Sequence, residues 1–64
     1  MKRSDALSAL RLAGYHNDSR AFTRTYVENR ISYRVAQQEW RLGVSAKLAG
    51  VRCTCFECKE EKKS

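Results

Sequence analysis

The sequence predicts an all-α fold: two or three short helices, forming a helical hairpin or small bundle, followed by a cysteine-rich tail. Three observations predict it. The chain contains no proline. The segments SALRLAGY and SAKLAGV each place Leu-Ala-Gly and a hydrophobic residue after a basic residue, which is typical of a helix C-terminus. Apolar residues before the second of these segments recur at helical spacing.

The length of 64 residues allows a single helical domain, predicted over residues 1–52, with the cysteine-rich tail over residues 53–64. Below about 70–80 residues one hydrophobic core supplies little stability, so small folds usually need an additional constraint. A disulfide, a metal ion or a second copy of the chain can provide it.

The first helix is predicted from Asp5 to Ala13. Ser4 has the side chain of an N-cap, and Asp5 in the first turn suits the positive end of the helix dipole. Gly14 is expected to end the helix in the left-handed conformation.

Two further helices are predicted after a polar turn. Asn17 or Asp18 is expected to cap the second helix, which contains Phe22 and Tyr26 and ends near residue 29. Ser32 is expected to cap a third helix over residues 33–49. Since residues 29–32 contain neither Gly nor Pro, one continuous helix from Asp18 onward is the alternative.

The third helix carries a narrow apolar stripe at helical spacing, with small residues in it and beside it. Gly43 costs helix stability, so its presence indicates that another helix crosses there. Val44 and Leu48 lie on the opposite side, and a helix with two apolar sides favours a homodimer. In the alternative, a monomer covers both sides with its own helices and tail. The predicted helix interface comprises Val35, Trp40, Leu42, Gly43 and Ala46.

The net positive charge lies entirely in the helical region. Residues 1–52 contain ten Lys and Arg against four Asp and Glu, whereas residues 53–64 contain three lysines against three glutamates. Such a basic surface favours an acidic protein partner or a nucleic acid. The predicted contact surface comprises Arg20, Arg24, Arg30, Arg34 and Arg41. A solvated face without a partner is the alternative.

All three cysteines lie in the tail sequence CTCFEC. Cys55 and Cys58 have the C-x₂-C spacing of a zinc site, and Cys53 can face the same ion. A tetrahedral site needs a fourth ligand, and His16 is the chain's single histidine. The sequence therefore predicts one zinc ion per chain, held by Cys53, Cys55, Cys58 and His16.

Other readings of the cysteines remain open. The fourth ligand can instead be a glutamate, a water or a cysteine of a second copy. The thiols can also be free, and the presence of only one C-x₂-C pair favours this reading. A disulfide leaves one of the three cysteines over. A catalytic C-x-x-C motif is not expected, because no strand pattern precedes it.

The second and third helices can also form a helix-turn-helix. Ser32, Tyr33, Arg34, Gln37 and Gln38 have side chains that can contact base edges and phosphates. The turn lacks its usual glycine, and Glu39 is expected close to the DNA-facing side.

Catalysis is not expected, because no nucleophile is paired with a base and no glycine-rich phosphate loop is present. No apolar run approaches the length of a membrane span, and Arg11 interrupts any signal-peptide core, so a cytoplasmic location is expected.

The stretch ALRLAGYHNDSRAFTRTYVENRISYRVAQQEWRLG, followed by a cysteine-rich end, resembles the small accessory proteins encoded in early regions of lambda-like phages and prophages. The resemblance implies a regulatory protein of the host cytoplasm that acts by binding. From the residues themselves we expect a non-enzymatic helical binding protein, acting through a protein interface. A nucleic-acid-binding regulator and a structural zinc module are the alternatives.

Overall fold

The computed structural model describes residues 2–53, which form three helices. Helix α1 spans Arg3–His16, α2 spans Ser19–Glu28 and α3 spans Tyr33–Leu48. The all-α fold class is confirmed, since the described residues contain no strand. The tail cysteines Cys55 and Cys58 lie outside the described residues.

Two predicted N-caps are confirmed. The Asp18 Oδ1 accepts a hydrogen bond from the Ala21 N–H at 3.2 Å, at the start of α2. The Ser32 Oγ accepts one from the Val35 N–H at 3.4 Å, at the start of α3. Helices α2 and α3 are therefore separate, and the continuous alternative is wrong.

Both predicted ends of the first helix are wrong. The helix begins before Ser4, with Lys2 as an N-cap residue that makes no side-chain capping bond. It also continues through Gly14 to His16, and the left-handed residue is Asn17, with φ 56°. The reason is tertiary: Gly14 is buried against α3, as described below.

Each helix ends in a Schellman motif, which satisfies the last carbonyl groups by reversing the chain. The left-handed residues are Asn17, Arg30 and Gly50. In each case this residue and the next donate their N–H groups to carbonyls three and five residues earlier. Arg30, with φ 53°, is the least suited of the three, because glycine has no Cβ and asparagine adopts the left-handed conformation more readily than arginine does.

Helices α1 and α3 touch backbone to backbone at two glycines. A Cβ on Gly14 would lie 2.9 Å from the Cα of Trp40 and closer still to the Trp40 carbonyl oxygen. A Cβ on Gly43 would lie 2.6 Å from the backbone nitrogen of Tyr15 and would collide with the Arg11 carbonyl oxygen. The crossing predicted at Gly43 is present, and its partner is α1 of the same chain.

The core is small. Its buried hydrophobic residues are Ala6, Leu10, Ala13, Phe22, Ile31 and Ala36. Half of them are alanines, and Leu10 is the largest side chain that is fully buried. Close backbone contact lets alanine fill the space between helices, but the apolar area buried per residue is correspondingly low.

An aromatic cluster joins α2 to α3. The Phe22 ring centroid lies 5.0 Å from that of Trp40 and 5.2 Å from that of Tyr26. Tyr33 completes the cluster, 5.6 Å from Tyr26. Tilted and edge-on rings at such distances attract each other beyond simple area burial.

None of the helices described is long and apolar enough to cross a membrane.

Replacing Gly43 with alanine tests the backbone contact. In an isolated helix, replacing glycine with alanine would stabilise the helix by about 1 kcal/mol. Here the methyl group collides with α1, so we expect the free energy of unfolding to fall by about 2 kcal/mol or more. Urea unfolding followed by Trp40 fluorescence measures it. Ser45→Ala, at an exposed position of the same helix, is the control and should be neutral or slightly stabilising; equal behaviour of both variants would contradict the close contact.

Replacing Arg30 with glycine tests the strained turn. The left-handed conformation costs an L-residue about 1–2 kcal/mol, and glycine removes this cost. Glycine also makes the unfolded chain more flexible, which lowers the free energy of unfolding by about 0.5–1 kcal/mol. We therefore expect Arg30→Gly to raise the free energy of unfolding by up to about 1 kcal/mol. Gly50→Ala should show the opposite sign, because Gly50 has φ 79° in open space. Thermal unfolding of the two variants would refute the assignment if both moved in the same direction.

Candidate functional site

A groove of about 440 Å³ lies along one side of the α1–α3 pair. Gly43 forms part of its floor, since the two backbones meet there. The residues lining the groove come from α1, α3 and the segment after α3: Ser8, Arg11, Leu12, Tyr15, Gly43, Ala46, Val51, Arg52 and Cys53. Helix α2 contributes none of them; it packs mainly against α1 and reaches α3 through the aromatic cluster.

One end of the groove is closed by the chain after α3. The Schellman motif at Gly50 reverses the chain, with the Val51 N–H donating to the Ala46 carbonyl at 3.0 Å. The Tyr15 hydroxyl then donates a hydrogen bond to the Val51 carbonyl. This bond ties the segment leading to Cys53 to the C-terminal end of α1.

The residues predicted to form a helix interface have separate places. Gly43 is buried against α1, and Val35 and Trp40 pack on the chain's own core. Ala46 lines the groove, and Leu42, one turn before it on α3, is 49% exposed. Only these last two are therefore available to a second protein.

Apolar surface is also exposed away from the groove. Leu48 is 84% exposed, and Val27 on α2 is largely exposed as well. Single exposed hydrophobic residues are common in proteins, so these two do not mark a site by themselves.

The five arginines of the predicted contact surface are all exposed. Arg20 and Arg24 lie one turn apart on α2, opposite the buried Phe22. Arg34 and Arg41 lie two turns apart on α3, opposite the buried Gly43. Gln37 and Gln38 are exposed between the last pair, and Arg30 lies in the turn between the two helices.

Glu39 lies away from this arginine surface. Its carboxylate accepts a hydrogen bond from the Arg11 guanidinium at 3.0 Å, and its side chain is only 14% exposed. The sequence-based expectation that Glu39 lies close to the DNA-facing side is therefore wrong. Since the Arg11 side chain is more than half exposed, the pair contributes at most about 1 kcal/mol to stability.

Two of the predicted zinc ligands lie side by side. The Cys53 Sγ is 3.3 Å from the His16 Nε2, although the residues are 37 positions apart in the chain. The described residues hold no group of three or more potential metal ligands. Cys55 and Cys58, the other two predicted ligands, lie outside the described residues.

Of the nine residues that line the groove, the predicted site residues included only Gly43, Ala46 and Cys53; the six that were missed include the large apolar and aromatic ones, Leu12, Tyr15 and Val51. Leu12 follows a basic residue and lies off the buried face of Leu10, which could have marked it as an exposed apolar residue. No local signal identifies the hydrogen bond between Tyr15 and Val51, because it depends on how α1 and α3 pack.

No protein-family model, curated protein or solved structure matches this chain.

Proposed function

We propose that this chain is a non-enzymatic regulatory binding protein that forms a homodimer through the α1–α3 groove. The exposed arginines of α2 and α3 then face an acidic protein partner. The observation that carries the proposal is the groove itself, with Leu12, Ala46 and Val51 in its lining and Leu42 half exposed beside it.

The small core supports a second copy of the chain as the occupant of the groove. With Leu10 as its largest fully buried side chain, the core buries little apolar area for a domain of this size. Dimerisation through Leu12 and Leu42 adds the missing burial. It also covers an apolar surface that the described part of the monomer leaves in contact with water.

Charge is compatible with this arrangement. Two chains of net charge +6 repel each other, so we expect the dimer contact where few unpaired basic side chains lie. Of the two arginines that line the groove, Arg11 is neutralised by Glu39, which leaves Arg52 at its exposed end. The unpaired arginines of the outer face of α3, Arg34 and Arg41, lie on a different side of the helix from Ala46 and remain available.

Replacing Leu42 with glutamine tests the dimer. Burying a leucine side chain contributes about 1.5–3 kcal/mol, so its loss should weaken dimerisation by about tenfold to a hundredfold. Sedimentation velocity over a range of concentrations measures the dissociation constant. Since Leu42 is half exposed in the monomer, the helical content should be unchanged, and circular dichroism checks this.

Leu48→Gln is the matched control, because Leu48 is more exposed and lies on another side of α3. It should leave the dissociation constant unchanged. A wild-type chain that stays monomeric at the highest soluble concentration would refute the dimer. An equal effect of the two substitutions would refute the groove as its interface.

Nucleic-acid binding is the second candidate, favoured by the position of Glu39. With that carboxylate paired to Arg11, the outer face of α3 presents Arg34, Gln37, Gln38 and Arg41 without an acidic side chain between them. Arginine and glutamine side chains bind phosphates and base edges.

Duplex DNA binding at low salt tests this candidate. We expect Arg34→Gln combined with Arg41→Gln to reduce affinity by about tenfold or more, because two phosphate contacts are lost. The slope of log affinity against log salt concentration should also become shallower, by about 0.9 for each lost contact. Lys2→Gln with Arg3→Gln removes the same charge from the far end of α1 and should have a smaller effect. Fluorescence anisotropy with labelled DNA measures both. If the wild-type chain does not bind at low salt, or if both double variants lose affinity equally, the outer face of α3 is not a nucleic-acid site.

A further inference from the structure

We propose that the start of α3 is a binding site for single-stranded nucleic acid, in which the Tyr33 ring stacks on an unpaired base while Arg30 and Arg34 hold the neighbouring phosphates. The site is separate from the proposed dimer contact, because none of these three residues lines the groove. It shares Arg34 with the second candidate function but differs in its ligand. A duplex keeps its bases stacked on one another, so it offers no free base face to Tyr33.

Tyr33 presents an aromatic surface that the fold leaves open. Of the Phe, Trp and Tyr residues within residues 2–53, only Tyr33 is exposed, with 55% of its surface accessible. Its ring lies edge-on to those of Tyr26 and Phe22, with centroid separations of 5.6 and 6.2 Å, so neither neighbour is stacked flat on it. These contacts orient the ring before a ligand arrives. A ring held in this way loses little conformational freedom when a base stacks on it.

Arg30 adopts a backbone conformation that glycine would adopt at lower cost. Its φ is 53°, in the turn between α2 and α3. Its N–H donates to the Val27 carbonyl and the Ile31 N–H donates to the Tyr26 carbonyl, so the backbone from which the Arg30 side chain extends is fixed. Strained residues concentrate at binding sites, where a side chain is needed in one position. A guanidinium suits this position because it binds phosphate through two parallel hydrogen bonds.

The segment around Tyr33 carries only positive charge. Residues 29–38 include Arg30 and Arg34 and contain no Asp or Glu. Glu39, the next acidic residue along the chain, forms its ion pair with α1 on another side of α3. A phosphate backbone can therefore approach the start of α3 without meeting a carboxylate from this segment.

An aromatic ring between two arginines favours a nucleic-acid strand over an acidic protein segment. A carboxylate-rich peptide supplies charge but few planar groups, whereas each nucleotide supplies one phosphate and one base. Stacking depends little on sequence, because every base has a π-face. Gln37 is exposed one turn after Tyr33 on the same side of α3, and its amide can add a hydrogen bond to a base edge. We therefore expect binding with only a modest sequence preference.

Oligonucleotides that differ only in their bases test the site on the full, reduced wild-type chain. We expect a labelled strand of about ten deoxythymidines, a length typical of single-strand sites, to bind at low salt. A strand of the same length and charge that lacks its bases should bind about fivefold to a hundredfold more weakly, because stacking is lost. Fluorescence anisotropy measures both. Equal affinity for the two strands, or equally strong competition by polyglutamate of the same charge, would overturn the stacking site in favour of a general attraction for polyanions.

The choice of strand separates this site from the other proposals. Oligouridine in place of oligodeoxythymidine shows whether RNA or DNA is preferred, and binding of either supports the site. Failure of both strands to bind at low salt would overturn it. Duplex binding in that case would leave the second candidate function standing, and the dimer is measured independently by sedimentation.

Substitutions at Tyr33 and Arg30 test the two kinds of contact. Tyr33→Leu keeps an apolar side chain but removes the flat ring, so it should weaken single-strand binding by the same factor as loss of the bases and leave duplex binding unchanged. Tyr33→Trp should bind at least as tightly as the wild type, because its ring is larger. An equal loss for strand and duplex, or no loss for the strand, would overturn the role of Tyr33.

Arg30→Gly should weaken single-strand binding although we expect it to stabilise the fold. The slope of log affinity against log salt concentration should become shallower by about 0.7, the value for one phosphate contact with a single strand. Lys2→Gln removes the same charge beside the start of α1 and is the control, with a smaller effect on affinity. Equal effects of the two substitutions would overturn the role of Arg30.

Discussion

The close contact between the backbones of α1 and α3 determines where every other feature of the molecule lies. Gly14 and Gly43 allow it, because each presents only a hydrogen atom to the other helix. At this separation alanine fills the interior, which explains a core rich in alanine. The same contact brings Tyr15 within reach of Val51 and thereby brings His16 beside Cys53. A wider separation would leave the segment after α3 without this anchor.

Helix α3 has three sides with different surroundings. One side meets α1 at Gly43, and a second carries Trp40 into the aromatic cluster with α2. The third, which carries Leu42 and Ala46, borders the groove. In a three-helix arrangement of such short elements, α2 covers only one flank of the α1–α3 pair. The proposed dimer compensates for this by burying apolar surface of the pair.

The parts of the fold that depend on local chemistry could be predicted from the sequence, whereas those that depend on packing could not. Asp18 and Ser32 cap their helices because a capping bond involves only the next three residues. Gly14 looks like a helix end by the same local reasoning, but its burial against α3 places it inside α1. At the candidate site, cysteine spacing suggested the ligands. The contact of Cys53 with His16 depends on two helix ends that lie far apart in the sequence.

The short connections also constrain the order in which the chain can fold. Asn17 and Asp18 alone join α1 to α2, and residues 29–32 join α2 to α3, so both turns form from neighbouring residues. The glycine contact is different, because Arg11 and Gly43 are separated by the whole of α2. Closing such a loop costs chain entropy before any contact compensates for it. The slow step of folding is therefore expected to be the docking of α1 on α3, with α2 already formed between them. The Schellman turns after α1 and α2 reverse the chain and so direct each following helix back toward the preceding one.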